Sequence, residues 1–453
     1  MFEILGYLAI MLAVILIYFS VFKRPIYEGI LVSFAVLLTI TGRWSSLGLY
    51  IDEALTTSLL YSMMAFSAMS LILTKTKVID NCVMIIVSLL GRIPGGAGYA
   101  AVVASSFMGA LSGSGPGNVM ATGSITVPAM LKSGYPPELA ANVVSASSYL
   151  GNMIPPSANI VAALGAFLAV YPDSTITSSE FWVVCWGVSL WFILSRLMQV
   201  FAFCKYYKIK AMAKEDIPSL RYVLKHGWSG FLLPLIILAP FVFDAIFNST
   251  FLTARLGAAG AKQFSSSLLI FVGGIVSIYG ILIAKNRKEL TPKNIITLFA
   301  DKVKSIAPTV ATCVFGYMIG ALFADLNVGE KLQTAFADMH MGRVALAFVI
   351  PLFTCFLSMV IPGSSIVVMF GAAIISIFAS AGADPLLVAA MLPCFCGVMG
   401  GITPPFALGM YAGMSIAKSD FTKTLKNGMI WVIVQYVLEV VVLLGWLPVL
   451  GLA

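Results

Sequence analysis

The sequence predicts an all-α protein that crosses a membrane many times and is built as two inverted repeats. Three observations predict this. The composition is too apolar for water. Apolar stretches of bilayer-spanning length follow one another along the chain. Four of these stretches are interrupted at matching positions in the two halves.

Of the 453 residues, 60% are hydrophobic and 10% charged, and the mean hydropathy is +1.00. A soluble domain is about half apolar and about a quarter charged, so this chain has too few polar groups to cover its own surface. The net charge of +8 fits the excess of Lys and Arg on the cytoplasmic side of membrane proteins. No basic surface interleaved with aromatic residues points to nucleic acid. The seven cysteines are scattered, and Cys394 and Cys396 stand too close for an easy disulfide, with no His or carboxylate nearby, so they read as small core residues. The N-terminus, MFEILGYLAI, has neither a basic leader nor a small-residue cleavage site and reads as a span.

A helix needs about 20 apolar residues to cross the hydrocarbon core. Single spans fall at 4–22, 27–43, 54–74, 180–203, 229–247, 266–284, 304–325 and 428–448. The stretches 138–171 and 385–415 are too long for one straight span, about 50 and 45 Å at 1.5 Å per residue. Each carries a glycine and a Pro-Pro pair near its middle, Gly151 to Pro155-Pro156 and Gly400 to Pro404-Pro405. Proline lacks the amide donor and breaks a helix interior, so both read as discontinuous helices. The stretches 93–132 and 343–381 are interrupted at Ser112-Gly113-Ser114-Gly115-Pro116-Gly117-Asn118 and at Pro362-Gly363-Ser364-Ser365. Their arms are short, which favours re-entrant hairpins over pairs of full spans. The expected total is about ten transmembrane helices, two of them discontinuous, plus two re-entrant hairpins.

With the Lys23-Arg24 loop placed inside, 21 of the 27 Lys and Arg fall on the cytoplasmic side, five fall outside and Arg196 lies within a span. Both termini are then outside. The order span, span, span, hairpin, broken helix, span occurs over 4–203 and again over 229–448, in opposite orientation. Pro136 and Pro385, Gly151 and Gly400, Pro155 and Pro404, and Pro156 and Pro405 are each 249 residues apart. The polar segment 205–228 is the cytoplasmic linker, in which Asp216-Ile217-Pro218-Ser219 starts a short surface helix.

Broken helices at matching positions of inverted repeats point to a binding site at the membrane midplane. They leave carbonyls unpaired at one half-helix end and amides at the other. In hydrocarbon such groups cost several kcal/mol each unless an ion, a ligand or trapped water meets them. The first repeat offers Ser112, Ser114, Gly115 and Asn118 opposite Gly151 and Asn152. The second offers Gly363, Ser364 and Ser365 opposite Gly400 and Thr403. None is a carboxylate, which favours sodium held by neutral oxygens over calcium or magnesium. An anionic substrate at the same level would meet Ser114, Gly115, Asn118, Asn152, Pro156, Ser364, Ser365 and Pro405. No other cofactor and no catalytic set is expected. The chain has no Ser-His-Asp constellation and no G-x-x-x-x-G-K-[ST] loop for ATP.

Two ionisable residues in apolar segments need weighing. Glu439 is expected to make a structural contact, with Gln435 on its own helix or with a partner subunit, and a proton-coupling role is the alternative. Arg196 is expected to snorkel to the cytoplasmic interface.

At the segments GALSGSGPGNVMATGSITVPAMLKSGYPPELAANVVSASSYLGNMIPPS and GVMGGITPPFALGMYAGMSIA the chain resembles the large membrane (M) subunit of the tripartite ATP-independent periplasmic, or TRAP, transporters. The linker DIPSLRYVLKHGWSGFLLPLIILAPF and the segment LTPKNIITLFADKVKSIAP are also similar, and element order is kept from end to end. One departure is FNSTFLTARLGAAGAKQFSSS, where the family often has a Thr-Pro-Thr-Glu-Ala-like turn.

The resemblance implies an elevator-type secondary carrier of the ion-transporter superfamily, in the bacterial inner membrane and not an enzyme. It implies sodium at the two clusters above and an organic acid delivered by a periplasmic substrate-binding protein (P-type). A small four-helix membrane subunit (Q-type) would brace the scaffold in the lipid bilayer. On this sequence, 1–92 and 229–342 would be scaffold and arm helices, and 93–171 and 343–415 the transport domain. Residues 172–228 would be a span with the linker, and 416–453 the last span. A stand-alone sodium- or proton-coupled organic anion carrier of the same superfamily is the alternative.

Overall fold

The computed structural model describes residues 2–76, 78–112, 115–328, 331, 342–359, 363–404 and 407–452. Among these the chain forms nineteen α-helices and no strand. Apart from its end turns, a helix pairs its backbone groups internally, which hydrocarbon demands. In chain order they begin with α1 (Phe2–Ser20), α2 (Ile26–Thr41), α3 (Leu47–Thr56), α4 (Ser58–Thr76) and α5 (Val78–Leu90). Next come α6 (Gly96–Ser112), α7 (Gly115–Lys132), α8 (Pro137–Leu150), α9 (Ala158–Val170) and α10 (Ser178–Tyr207). The linker carries α11 (Leu220–Gly227). The second half has α12 (Leu233–Phe247), α13 (Thr253–Ile283), α14 (Pro292–Asp325), α15 (Arg343–Ser358) and α16 (Gly363–Ser380). It closes with α17 (Pro385–Pro393), α18 (Leu408–Ala417) and α19 (Phe421–Leu443).

Each of the eight expected single spans falls on a helix. By themselves α10, α16 and α19 are long and apolar enough to cross a membrane, and three bent pairs, α8 with α9 among them, bring the number to six. Helix α10 shows how such a helix sits. Val183, Leu190, Leu194, Met198 and Phe201 form one exposed stripe, while Cys185, Ser189, Phe192, Arg196 and Val200 are buried on the other face. In water such a stripe would be an association patch; in a bilayer it faces lipid.

Local chemistry fixes where the elements begin. Asp384 accepts the amides of Leu386 and Leu387 at 2.7 and 3.2 Å, with Pro385 at the first helical position of α17. Thr177 and Glu180 form a reciprocal capping box on α10.

Helices α6 and α7 form the first hairpin, and α15 and α16 the second. The second arms start earlier than the sequence suggested. Gly115–Asn118 and Gly363–Ser365, read as parts of the interruptions, are the first turns of α7 and α16. Pro116 fits there because a first-turn amide needs no partner within the helix. Both hairpin tips therefore present a helix N-terminus.

The breaks behave as the prolines predict. Helix α8 ends in a 3-10 turn, Gly151–Met153, and α9 departs at 40° after Pro155-Pro156, capped by the Ser157 hydroxyl. Helix α17 ends in a π-turn, Cys394–Val398, before α18. Helix α8 packs against α18, and α9 against α17 and α16. The first half of one broken helix thus lies beside the second half of the other. Two breaks cross in this way only when the repeats run in opposite directions.

Three features depart from the sequence reading. The segment 78–90, assigned to no element, is helix α5. Arg196 does not snorkel; it is 1% exposed and turned into the protein. The linker is also more than a tether. Gly95 N–H donates to Lys210 O (3.2 Å), Lys210 N–H to Ser133 O (3.3 Å) and Met212 N–H to Gly91 O (3.1 Å). With the Lys132–Asp216 ion pair and the Ser88 hydroxyl on Pro218 O, these bonds strap the linker across the base of the first hairpin. Helix α11 packs on α5, beginning right after Ser219 as expected.

Candidate functional site

The site is built where the hairpin tips meet the breaks. In the first repeat, α6 and the break touch backbone to backbone. A Cβ on Gly109 would lie 2.5 Å from Ser148 O and 3.0 Å from both Gly151 Cα and Asn118 Nδ2, and one on Gly151 would overlap the Gly109 backbone. Only glycine fits at either position. Hairpin and break are thereby brought together around Gly109.

Asn118, in the first turn of α7, is fully buried. Its Nδ2 donates to Ser105 O at 2.7 Å, and its Oδ1 has no partner among the described residues. Thr122, one turn on, donates to Asn118 O at 2.8 Å and pairs with the Ser105 hydroxyl at 2.8 Å, which fixes this face of the hairpin. The Asn152 Oδ1, at the break, and the Ser148 hydroxyl, beside it on α8, are also buried without a partner among the described residues. Unpaired neutral oxygens thus collect where α6 and α8 also end in their negative dipole ends. Such a group repels anions, and a dehydrated monovalent cation suits it.

In the second repeat a Cβ on Gly363 would lie 2.5 Å from Cys396 O, and one on Gly400 would overlap Ser358. Gly109 with Gly151 and Ser358 with Gly400 are the same pair under the 249-residue offset. Thr403 is buried and its hydroxyl donates to Met399 O at 2.9 Å, leaving its lone pairs as acceptors. Ser365 is buried and Ser364 half-buried beside the tip. Pro156 is buried in the first break. Ser114 and Pro405 lie outside the described residues, and of Ser112 only the backbone, at the end of α6, is described.

The two halves meet on a residue that sequence reasoning missed. Side chains added to Gly115 of α7, Gly401 of the second break and Gly409 of α18 would each strike the Tyr149 ring. One aromatic ring on α8 thus fills the crossing, with glycines from three elements against it. The signal was available: Tyr149 precedes the first break directly, whereas its counterpart at the offset is the smaller Val398.

Behind the second break lies a buried polar chain. Arg196 Nη2 donates to Gln435 Oε1 at 2.7 Å and Nη1 to Trp431 O at 3.3 Å, with the guanidinium 5.4 Å from the Trp431 ring centre. Gln435 Nε2 donates to Glu439 Oε1 at 3.0 Å and to Cys394 Sγ at 2.9 Å, and the Cys394 thiol donates to Glu439 Oε1 at 3.3 Å. Glu439 thus makes the structural contact expected of it. The chain ties α10 and α19 to the π-turn that carries Gly397.

The family model described as tripartite ATP-independent periplasmic transporter, DctM component, matches residues 3–450. The C4-dicarboxylate TRAP transporter large permease protein DctM of Vibrio cholerae is 26% identical over 381 residues, covering 80% of each chain. The sialic acid TRAP transporter large permease protein SiaM of the same organism is 23% identical, covering 76% of this chain and 74% of that one. Among solved structures, the efflux pump MtrF of Neisseria gonorrhoeae superposes with a TM-score of 0.68 at 14% identity, over 92% of this chain and 85% of that one, a likeness of fold. Inverted repeats that cross at two broken helices and a family match from end to end agree: this chain belongs to the DctM family, the large permease subunits of the TRAP transporters.

Proposed function

We propose that this chain is the carrier subunit of a sodium-driven TRAP transporter of the bacterial inner membrane, importing a small organic acid anion that a periplasmic substrate-binding protein delivers. The observation that carries the proposal is the crossing of the breaks, where the Asn118 and Asn152 side-chain oxygens are buried and unpartnered beside a glycine-only contact. Neutral oxygens and half-helix C-termini suit sodium, and the N-termini of α7 and α16 at the hairpin tips suit a carboxylate. The relatives named above are named for acids, C4-dicarboxylates and sialic acid.

The moving unit comprises 93–171 and 343–415, riding against the scaffold of 1–92 and 229–342. A cleft of about 1030 Å³ supports an elevator motion. Leu164, Gly165 and Leu168 of the moving unit line it together with Glu53, Asn248, Tyr317 and Ala324 of the scaffold. A small four-helix membrane subunit braces the scaffold.

The test is thermal unfolding of the purified chain in sodium, potassium or choline at one ionic strength. A ligand bound only by the folded state stabilises it by RT ln(1 + [L]/Kd). Sodium alone should raise the midpoint, and Ser364→Leu should shrink the rise. Equal midpoints in the three salts would remove sodium coupling from the proposal. Uptake by reconstituted vesicles should need the binding protein; uptake without it would make the chain a stand-alone carrier.

A further inference from the structure

We infer that a cavity at the cytoplasmic ends of α4, α13 and α14 is a binding site for the headgroup of an anionic phospholipid that carries hydroxyl groups, of the phosphatidylglycerol class. The cavity measures about 710 Å³ and is lined by Leu71, Thr74 and Lys75 at the end of α4, by Lys285, Asn286 and Glu289 in the α13–α14 connection, and by Leu298 and Lys302 on α14. Three lysines against one glutamate leave it positive. Arg287, Lys288 and Lys293, all exposed, add charge along the same connection.

Its place in the fold argues for a lipid. Helix α14 has 34 residues, about 51 Å at 1.5 Å per residue, so it exceeds a hydrocarbon core of about 30 Å. Its N-terminal turns, where Lys302 sits, therefore extend into the headgroup layer. The charge distribution puts this end on the cytoplasmic side. Leu71 and Leu298 supply the apolar wall that an acyl chain needs and a free anion does not. A basic pocket between transmembrane helices at this depth has the chemistry that anionic headgroups recognise.

Asn286 narrows the ligand class. Its Nδ2 donates to Lys75 O at 3.2 Å, closing the C-terminus of α4 onto the turn after α13. Its Oδ1 is buried and has no partner among the described residues. An acceptor held beside three lysines asks for a ligand with both a phosphate and a hydroxyl donor, which phosphatidylglycerol carries on its glycerol and the phosphatidic acid dianion, the form that lysines favour, lacks. Bound there, the lipid bridges three helices. Two of them already pack closely: a Cβ on Gly273 of α13 would lie 3.0 Å from the Ala65 backbone of α4.

Binding of phosphatidylglycerol, phosphatidic acid and phosphatidylcholine to the detergent-purified full chain, measured by native mass spectrometry, tests this. Phosphatidylglycerol should bind in preference to phosphatidylcholine. Lys75→Gln, Lys285→Gln and Lys302→Gln together should weaken it on the order of a hundredfold, from about fivefold per lysine near an anionic surface. The same charge change at Lys205, Lys418 and Lys423 should leave binding unchanged. Asn286→Ala should weaken phosphatidylglycerol more than phosphatidic acid; that variant and the wild-type lipid preference decide the matter if the triple variant does not fold. Equal binding of all three lipids, equal loss in both triple variants, or an equal effect of Asn286→Ala on both acidic lipids would overturn the inference. So would displacement of the lipid by millimolar inorganic phosphate, which would mark a soluble-anion site.

Discussion

Removing either charge of the Arg196–Gln435–Glu439 chain should be far more damaging than removing both. Arg196 and Glu439 are fully buried and linked through the Gln435 amide, without direct contact within salt-bridge distance. Breaking a buried charge pair by deleting one member costs about 3–5 kcal/mol, because the other charge stays behind uncompensated. Glu439→Leu and Arg196→Met should each fall in that range. The double variant leaves no net charge and fills the space with apolar atoms, and such replacements are often neutral or better. It should therefore be more stable than either single variant, with a coupling of several kcal/mol.

All seven cysteines are free and buried, so a thiol-reactive dye reports unfolding in detergent directly. Glu439→Gln keeps the shape and removes the charge, and should cost nearly as much as Glu439→Leu. Additive single effects would refute the reasoning, since they would mean that the two charges do not feel each other. A Glu439→Gln variant with wild-type stability and no transport would instead assign the carboxylate to proton coupling.

Other perturbations give sharper contrasts. Gly151→Ala and Gly400→Ala should each abolish uptake while leaving partner helices such as α1 and α2 protected from hydrogen exchange, because the new Cβ meets backbone; overpacking of this kind costs about 1–3 kcal/mol or more. Uptake at wild-type rate in either variant would show that hairpin and break need not touch. Tyr149→Ala should cost about 3–5 kcal/mol in the same dye assay, since the ring fills the crossing of the two halves. Lys132→Gln, at a pair whose side chains are 64% and 31% exposed, should cost less than about 1 kcal/mol and lose even that at high salt.

Much of the architecture was legible because its punctuation is chemical. Pro155-Pro156 and Pro404-Pro405 cannot continue a helix, and glycine-rich tips cannot be spans, so breaks and hairpins follow from residue type alone. What escaped were matters of facing. Depth along α10 suggested that Arg196 could reach the cytoplasm, but face decides: Cys185, Ser189 and Phe192 share its side at helical spacing, whereas Val183, Leu190 and Leu194 mark the lipid side. Helix α5, at 78–90, is too short to register as a span. The contacts of Gly109 and Tyr149 join residues far apart in sequence, and no local pattern announces them.

The repeats match in backbone but not in side chains, and the difference leads to a last prediction. From their first residues, Gly115 and Gly363, helices α7 and α16 place Asn118 opposite Ile366, and the 249-residue offset of the breaks places Asn152 opposite Gly401. If sodium binds as proposed, the first site would own two side-chain amide oxygens that the second lacks. The second would depend on main-chain carbonyls and on the Thr403 hydroxyl, already engaged with Met399 O. Side-chain ligands can be deleted and carbonyls cannot, so the cages should respond differently to alanine. Asn118→Ala removes an unpaired acceptor and also frees Ser105 O, which its amide now satisfies. With a hydrogen bond to a charged group, about 1.5–3 kcal/mol, as the scale for losing one ion–dipole ligand, the sodium concentration for half-maximal uptake should rise at least about tenfold. Thr403→Val keeps volume and leaves the carbonyls in place, so its effect should be several-fold smaller. If both substitutions raise the sodium requirement equally, the ligands are backbone atoms in both repeats, and the asparagines serve only to hold the first hairpin shut.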